Sequence, residues 1–456
     1  MDWIERCLDD RGGNFWVDGA RLIDPVAGTE TKGAVHVEGG MIRAIAAKAP
    51  AAGGVPVLDA GGLCLAPGLV DMHVHLREPG FEDKETVATG SASAARGGVT
   101  AMACMPNTKP ICDDAAIVEL IRERAATAGL CRVHPIGAIT QGAASEQLAD
   151  MGEMLAAGAI GFSDDGWPVR SAGLLRNALE LSLRWDALLI SHAEEPSLSQ
   201  GGVMNESAVS HRLGLKGIPR EAEDIGTDRD VRLAGLTGAR LHIAHVSSRN
   251  SVEIVRRAKA DGLRVTAETA PHYLLLDDTA LEGYDSHKKM NPPLREKSDQ
   301  EALVAALVDG TLDCVATDHA PHTEAEKQRE LAYAPFGVTG LETSLAAVLT
   351  RLVHTGLMKL PAALALLTSR PAAILGLEGG RLEAGAPADL VLFDPEEAWT
   401  VRGAEMASKG RNTAFEGMSL TGRVRATVLG GQVVYAREGE AERFSPRPWR
   451  AVASHA

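Results

Sequence analysis

The chain has 456 residues, of which 45% are hydrophobic and 23% charged, the make-up of a folded globular protein with room for one large domain and a smaller one. Its formal net charge of −15 excludes a general affinity for nucleic acid or anionic lipid, so any anionic ligand must meet a local positive site.

The start, "MDWIERCLDDRGG", is acidic and lacks the apolar core of a leader, and no apolar run reaches the roughly 18 residues of a membrane span. Residues 15 to 66 then read as short strands between glycine turns: "NFWVDGARLIDP", the hairpin "AVHVEGG" with "MIRAIA", and "VPVLDAGGLCLAPG". The middle alternates short apolar strands with alanine- and leucine-rich helices. Eight strands are predicted at "GLVDMH", "VTAMAC", "RVHPIGA", "AIGFS", "ALLISH", "LHIAH", "RVTAET" and "DCVATD". Helices are expected at "ETVATGSASAARGG", "AAIVELIRERAATAG", "GLLRNALELSLRW" and "SVEIVRRAKADG". The β texture returns in "GRLEAGAPADLVLFDP" and "GRVRATVLGGQVVYAREG". The prediction is an α/β chain: a (β/α)8 TIM barrel over 67–375, with 1–66 and 376–456 meeting in a small β-sandwich domain. The six cysteines (Cys7, Cys64, Cys104, Cys112, Cys131, Cys314) form no C-x-x-C pair, which predicts small core thiols in a reducing, cytoplasmic setting.

A barrel builds its active site at the C-terminal ends of its strands. The polar residues there are His73 and His75 after the first strand, Asn107 after the second, Asp164 and Asp165 after the fourth, His192 after the fifth, His245 after the sixth, and Asp318 with His322 after the eighth. Side chains two apart in a strand share a face, so His73 and His75 can reach one point, with Arg77 next on that face. Imidazoles and carboxylates converging in this way suit zinc or a similar divalent ion with a coordination position left for water. Paired metals share an anionic ligand. Barrel hydrolases with this H-x-H pattern often use a carboxylated lysine from the fourth strand, but "AIGFSDDGWP" has none, which leaves Asp165 or Asp164 for that place. Arg77 offers a permanently charged fork matched to a carboxylate; its alternative is an ion pair with Glu78 or Asp83. His36, His134, His211, His242, His287, His354 and His455 lack such settings and are expected to be structural or exposed, while His272 and His319 are at most supports for the ligands.

"PGLVDMHVHLREPG", "MPNTKP", "GFSDDG", "NPPLR", "ATDHAPH" and "PFGVTGLET", in this order over residues 66 to 345, resemble the class I dihydroorotases of the amidohydrolase superfamily. "GRLEAGAPADLVLFDP" resembles that family's return to the β domain, while the first dozen or so and the final fifteen residues carry no match. The resemblance implies one or two Zn2+ ions per subunit, with His73, His75 and Asp318 on one metal, His192 and His245 on the second, Asp165 shared and Asp164 supporting. It also implies substrate contacts at His75, Leu76, Arg77, Asn107, Asn291, His322, Phe336 and Gly337. Among these, Asn107 and His322 complete a carboxylate clasp with Arg77, and Asn291 and the backbone of Phe336 and Gly337 meet the ring.

The implied reaction is the reversible hydrolysis of dihydroorotate to N-carbamoyl-L-aspartate in pyrimidine biosynthesis. Metal-activated hydroxide is the nucleophile and Asp318 the general acid/base. A homodimer is implied, and association with aspartate transcarbamoylase is open. Two alternatives stand beside this. A hydantoinase or allantoinase would share the fold, but the absent lysine and the presence of Arg77 with Asn107 disfavour it. An inactive scaffold for the transcarbamoylase would have lost ligands, whereas every expected position is filled. The charged segment "HTEAEKQRELAYAPFG" reads either as a loop closing over substrate or as a solvated turn.

Overall fold

The computed structural model describes residues 13–51, 54–439 and 441–447. The chain begins with β1 (Phe15–Asp24), antiparallel to β2 (Thr29–Glu38), which pairs in turn with β3 (Met41–Ala46). The β2–β3 turn is Gly39–Gly40, with φ of 59° and 79°, the left-handed pair that a two-residue hairpin demands. Next, β4 (Val57–Asp59) and β5 (Cys64–Pro67) lie parallel to β1 at different points along it.

The barrel opens with β6 (Leu69–Val74), β7 (Val99–Cys104) and β8 (Arg132–Pro135), all parallel. β9 (Leu189–Ser191) follows. A two-stranded pair, β10 (Met204–Asn205) with β11 (Gly217–Ile218), stands apart from the barrel. β12 (Leu241–Ile243), β13 (Val265–Thr269) and β14 (Cys314–Val315) complete a parallel ladder with β9. The predicted fourth strand, "AIGFS", is not a regular strand. Only Phe162 holds its place, bridging Gly137 on one side and Leu189 on the other. The physical reason lies one residue on: the Asp164 carboxylate accepts from the Ile139 and Thr140 amides at 2.8 and 3.0 Å, so a side chain captures donors next to the ladder. The ring closes where Val74 bridges His319 and the His75 amide donates to the His319 carbonyl at 2.8 Å.

The expected helices form, each starting at a side-chain cap: Val87–Arg96 at Thr86, Ala115–Ala128 at Asp114, Ala172–Ser182 at Ser171 and Arg249–Ala260 at Ser248. They bury apolar positions at helical spacing, such as Val118, Ile121 and Ala125, against the outside of the barrel. Val70, Met72, Ala101, Ala103, Ile190 and Ala316 belong to a separate cluster within the barrel.

β15 (Leu390–Thr400) returns the chain to the first sheet, pairing antiparallel with β5 so that Leu390 faces Pro67. β16 (Ser419–Leu429), β17 (Gln432–Glu438) and β18 (Ala441–Phe444) extend it. The nine-stranded sheet folds over a core that joins Val17, Leu22 and Val35 from the start of the chain to Leu390, Leu392 and Val428 near its end. The fold is a (β/α)8 barrel with a β-sandwich made from the two ends of the chain. Cys64, Cys104, Cys112, Cys131 and Cys314 are free buried thiols; Cys7 and His455 lie outside the described residues. No helix among the described residues is long and apolar enough to cross a membrane.

Candidate metal centre and active site

The strand-end residues meet at one mouth of the barrel. The Nε2 atoms of His73 and His75 and the carboxylate of Asp165 form one set of potential metal ligands, and Asp165 with His192 and His245 forms a second, the atoms of each lying within 4.8 Å of one another. Asp165 Oδ1 is 3.4 Å from His73 Nε2 and 3.4 Å from His245 Nε2, and Oδ2 is 3.4 Å from His75 Nε2. Asp318 Oδ1 lies 3.0 Å from His75 Nε2 and 3.6 Å from His73 Nε2. Asp165 thus faces both sets. Asp164 points away and is consumed by the amides of residues 139 and 140.

These residues fit a divalent metal. His73 Nε2 and Asp165 Oδ1 are fully buried and have no hydrogen-bond partner, an arrangement that is expensive unless a cation satisfies it. His73 Nδ1 donates to Glu268 Oε1 at 2.9 Å, and His75 Nδ1 donates to Asn107 Oδ1 at 2.8 Å. Each bond places the ring proton on Nδ1 and turns the Nε2 lone pair toward Asp165. His192 presents the opposite edge: its Nδ1 lies 2.9 Å from His245 Nε2, both directed at Asp165. Glu268 was not anticipated. An acidic residue inside the apolar stretch "RVTAET" was the available signal. His242, expected to be structural, reaches the same carboxylate, with Nε2 3.4 Å from Glu268 Oε2.

The charges are tuned by their surroundings. Burial pushes the Asp165 carboxyl up, but His73, His192 and His245 outweigh it and hold the group well below the usual carboxylate range. Burial likewise pushes the Asp318 carboxyl up, but the neighbouring His75, His73 and His245 outweigh it, so that it also stays low. Glu268 is held at about 2, burial being overcome by its bonds to His242 and His73.

A cavity of about 220 Å³ opens above this centre, lined by Arg77, Asn107, Asn291, His322, Phe336 and Gly337 together with the metal-ligand candidates. Arg77 reaches it by a different route from the one alternation predicts. β6 ends at Val74, its register against β7 shifts between Asp71 and Val74, and Arg77 has a φ of 62°. Val70 and Met72 belong to the barrel-interior cluster, so the spacing of 73, 75 and 77 is not the continuation of a regular strand. Arg77 forms no ion pair among the described residues. Glu78 instead caps the Val87 amide at 2.9 Å and faces Arg124. The guanidinium donates through Nε to the Pro321 carbonyl at 3.2 Å, with Nη2 3.5 Å from His322 Nε2. Burial pulls Arg77 down to about 10, against the pull of Asp318 and Asp165, and it remains a cation at neutral pH. Burial, then Arg77, Lys84 and Lys327, lowers His322 to about 3; the neutral ring donates from Nε2 to the Phe336 carbonyl at 2.8 Å. Asn291 Nδ2 donates to Glu194 Oε2 at 3.0 Å, and its buried Oδ1 has no partner. Leu76 does not line the cavity. Its side chain packs toward Gly90, where any Cβ would collide with it.

Three site residues, Arg77, His245 and Asp318, are non-glycines at positive φ (62°, 37° and 48°). Such backbone costs about 1–3 kcal/mol per residue and persists only where surrounding contacts enforce it. The other histidines are quieter: His36 stacks on Trp16, His354 Nε2 donates to the Pro395 carbonyl, and His319 faces Glu85. A second cavity, about 450 Å³, lies beside Gly68, Arg132 and His134 at the other end of the strands, where Arg132 is paired with Asp389.

Comparison with known proteins separates the candidates for this site. Residues 62–251 match the family described as dihydro-orotase-like. The dihydroorotase of Pelotomaculum thermopropionicum is 51% identical over 419 residues, 92% of this chain and 97% of that protein. The chain belongs to the dihydroorotase family. A second dihydroorotase, from Geobacter sp. strain M21, is 49% identical over 92% of this chain and 99% of its own length. Among solved structures, the L-hydantoinase (dihydropyrimidinase) of Arthrobacter aurescens superposes with a TM-score of 0.84 at 26% identity, covering 94% of this chain and 97% of its own. The D-hydantoinase of Thermus sp. does so at 0.81 and 24%, a likeness of fold alone. The dihydroorotase family and these hydantoinases therefore share the barrel and sandwich, while the higher sequence identity lies with dihydroorotases.

Proposed function

We infer that this chain is a dihydroorotase, catalysing the reversible hydrolysis of dihydroorotate to N-carbamoyl-L-aspartate in pyrimidine biosynthesis, as a cytoplasmic zinc enzyme. The observation that carries it is a half-buried Arg77, free of ion pairs among the described residues, that lines one cavity with Asn107 and a neutral His322 over a His/Asp metal centre in an acidic protein. That combination suits a ring bearing one carboxylate next to a scissile amide.

His73, His75 and Asp318 would hold one ion, His192 and His245 a second, with Asp165 shared between them. A bound divalent ion supplies an activated water and polarises the ring carbonyl. Arg77 binds the substrate carboxylate through its planar fork, with Asn107 and His322 as neutral partners. Asn291 and the backbone at Phe336 and Gly337 orient the ring. Asp318 Oδ1 accepts the proton released by the attacking water. It then delivers that proton to the ring nitrogen as the C–N bond breaks, and the reverse order serves ring closure. We place the division between the units at residues 66/67, at the end of β5 just before β6, and at 375/376, where the last barrel helix ends. A homodimer, and contact with aspartate transcarbamoylase, belong to the same proposal.

The test is turnover of dihydroorotate, hydantoin and allantoin with metal stoichiometry, comparing wild type with Asp165→Ala. Preference for hydantoin or allantoin would overturn the substrate, full metal content and rate in the variant would overturn the shared-ligand role, and a wild type that binds no metal would favour the scaffold.

A further inference from the structure

Lysine is almost never fully buried without a charged partner. Lys289 and Lys327 are 2% and 1% exposed, and neither makes an ion pair among the described residues. What each ammonium does have is three carbonyls for its three protons. Lys289 Nζ donates to Leu331 O at 2.8 Å, Ala332 O at 3.3 Å and Ala334 O at 2.7 Å. Lys327 Nζ donates to Lys289 O at 3.4 Å, Pro335 O at 3.0 Å and Gly337 O at 2.9 Å. Five of these six acceptors belong to residues 331–337, a stretch with no helix or strand and therefore no ladder to satisfy its carbonyls. The Gly337 amide returns a bond to Lys289 O at 3.0 Å, and Lys289 Nζ sits 4.5 Å from the centre of the Phe336 ring.

The two lysines also tie this stretch to both walls of the cavity. Lys289 lies two residues before Asn291. Lys327 ends the short helix Glu324–Lys327, whose capping residue Thr323 follows His322. Ser286 Oγ bonds the Lys327 carbonyl, joining the two lysine-bearing segments directly.

We propose that Lys289 and Lys327 are a buried clamp that positions residues 331–337, and with them the Phe336 and Gly337 backbone, against the substrate. They are positioning residues: neither lines the cavity, and both act through the loop they hold. The proposal rests on the assignment of Phe336 and Gly337 as ring contacts, and its consequence is that the clamp sets substrate affinity rather than the chemical step. It also accounts for "HTEAEKQRELAYAPFG", a buttressed wall rather than a solvated turn.

The test uses full-length, metal-loaded protein. Lys327→Met and Lys289→Met should each raise KM for dihydroorotate at least tenfold with kcat within threefold. The double variant should be no worse than the weaker single one by more than threefold, because both hold one loop. Unchanged KM, or KM and kcat failing together with metal content intact, overturns the clamp. Hydrogen exchange gives a readout independent of substrate and of variant folding. In the wild type under mild denaturant, residues 285–291, 324–328 and 331–337 should open as one unit, separately from the barrel strands. Independent opening of these three segments overturns the proposal. If the wild type fails to hydrolyse dihydroorotate, the functional assignment falls, while the exchange experiment still decides the clamp.

Discussion

Glu268 accepts a hydrogen bond from His73 Nδ1 at 2.9 Å across 195 residues of chain, and so fixes which nitrogen of His73 faces the metal centre. Such outer carboxylates typically contribute 10–100-fold to metal affinity. Glu268→Gln keeps the shape but removes the charge, and we expect metal affinity measured by chelator competition to drop by about that factor. Activity at saturating metal should fall less.

Arg77→Met should lower kcat/KM for dihydroorotate on the order of 100-fold, the worth of a charge-assisted contact of about 3 kcal/mol. Binding of dihydrouracil, the same ring without a carboxylate, should be unaffected. Equal losses for the two ligands, measured by competition, would remove Arg77 from the clasp.

Asp318→Asn should reduce kcat by roughly 10²–10⁴-fold, the usual range for a general acid/base, with KM changed much less. Metal content must be determined alongside, because Asp318 also borders His73 and His75. A variant with full metal and wild-type kcat would refute the proton-transfer role.

Phe162 is fully buried and alone bridges the staves on either side of the irregular fourth segment. Phe162→Ala should destabilise the protein by about 3–5 kcal/mol in urea unfolding. Asp165 lies three residues on, so weaker metal binding should accompany the loss.

Burial, then Arg132 and Arg122, lowers His134 to about 4. Below the unfolded value of about 6.5 the unfolded chain binds the extra proton first, so stability is fully present above that pH and is lost as pH falls toward 4. The slope from this one group reaches at most about 1.4 kcal/mol per pH unit. His134→Gln should flatten the acid limb of urea unfolding measured on chelator-treated protein between pH 6.5 and 4. An unchanged limb would mean that His134 does not titrate there.

The sequence by itself determined the things that repeat locally. Apolar runs broken by glycine placed seven of the eight barrel strands as ladder strands, Gly39–Gly40 marked its hairpin, and the strand-end residues named the ligand candidates, because period and turn chemistry are written in neighbouring residues. Tertiary structure decided the rest. It separated Asp165, which faces both histidine sets, from Asp164, which is spent on the 139–140 amides; two adjacent aspartates look alike until the fold supplies their partners. It brought Arg77 to the cavity through a left-handed backbone in place of strand alternation, and a positive φ on a non-glycine leaves no mark in composition. It also recruited Glu268, Lys289 and Lys327, whose partners come from other segments of the chain. A buried charge is defined by what surrounds it, and only the folded chain assembles those surroundings.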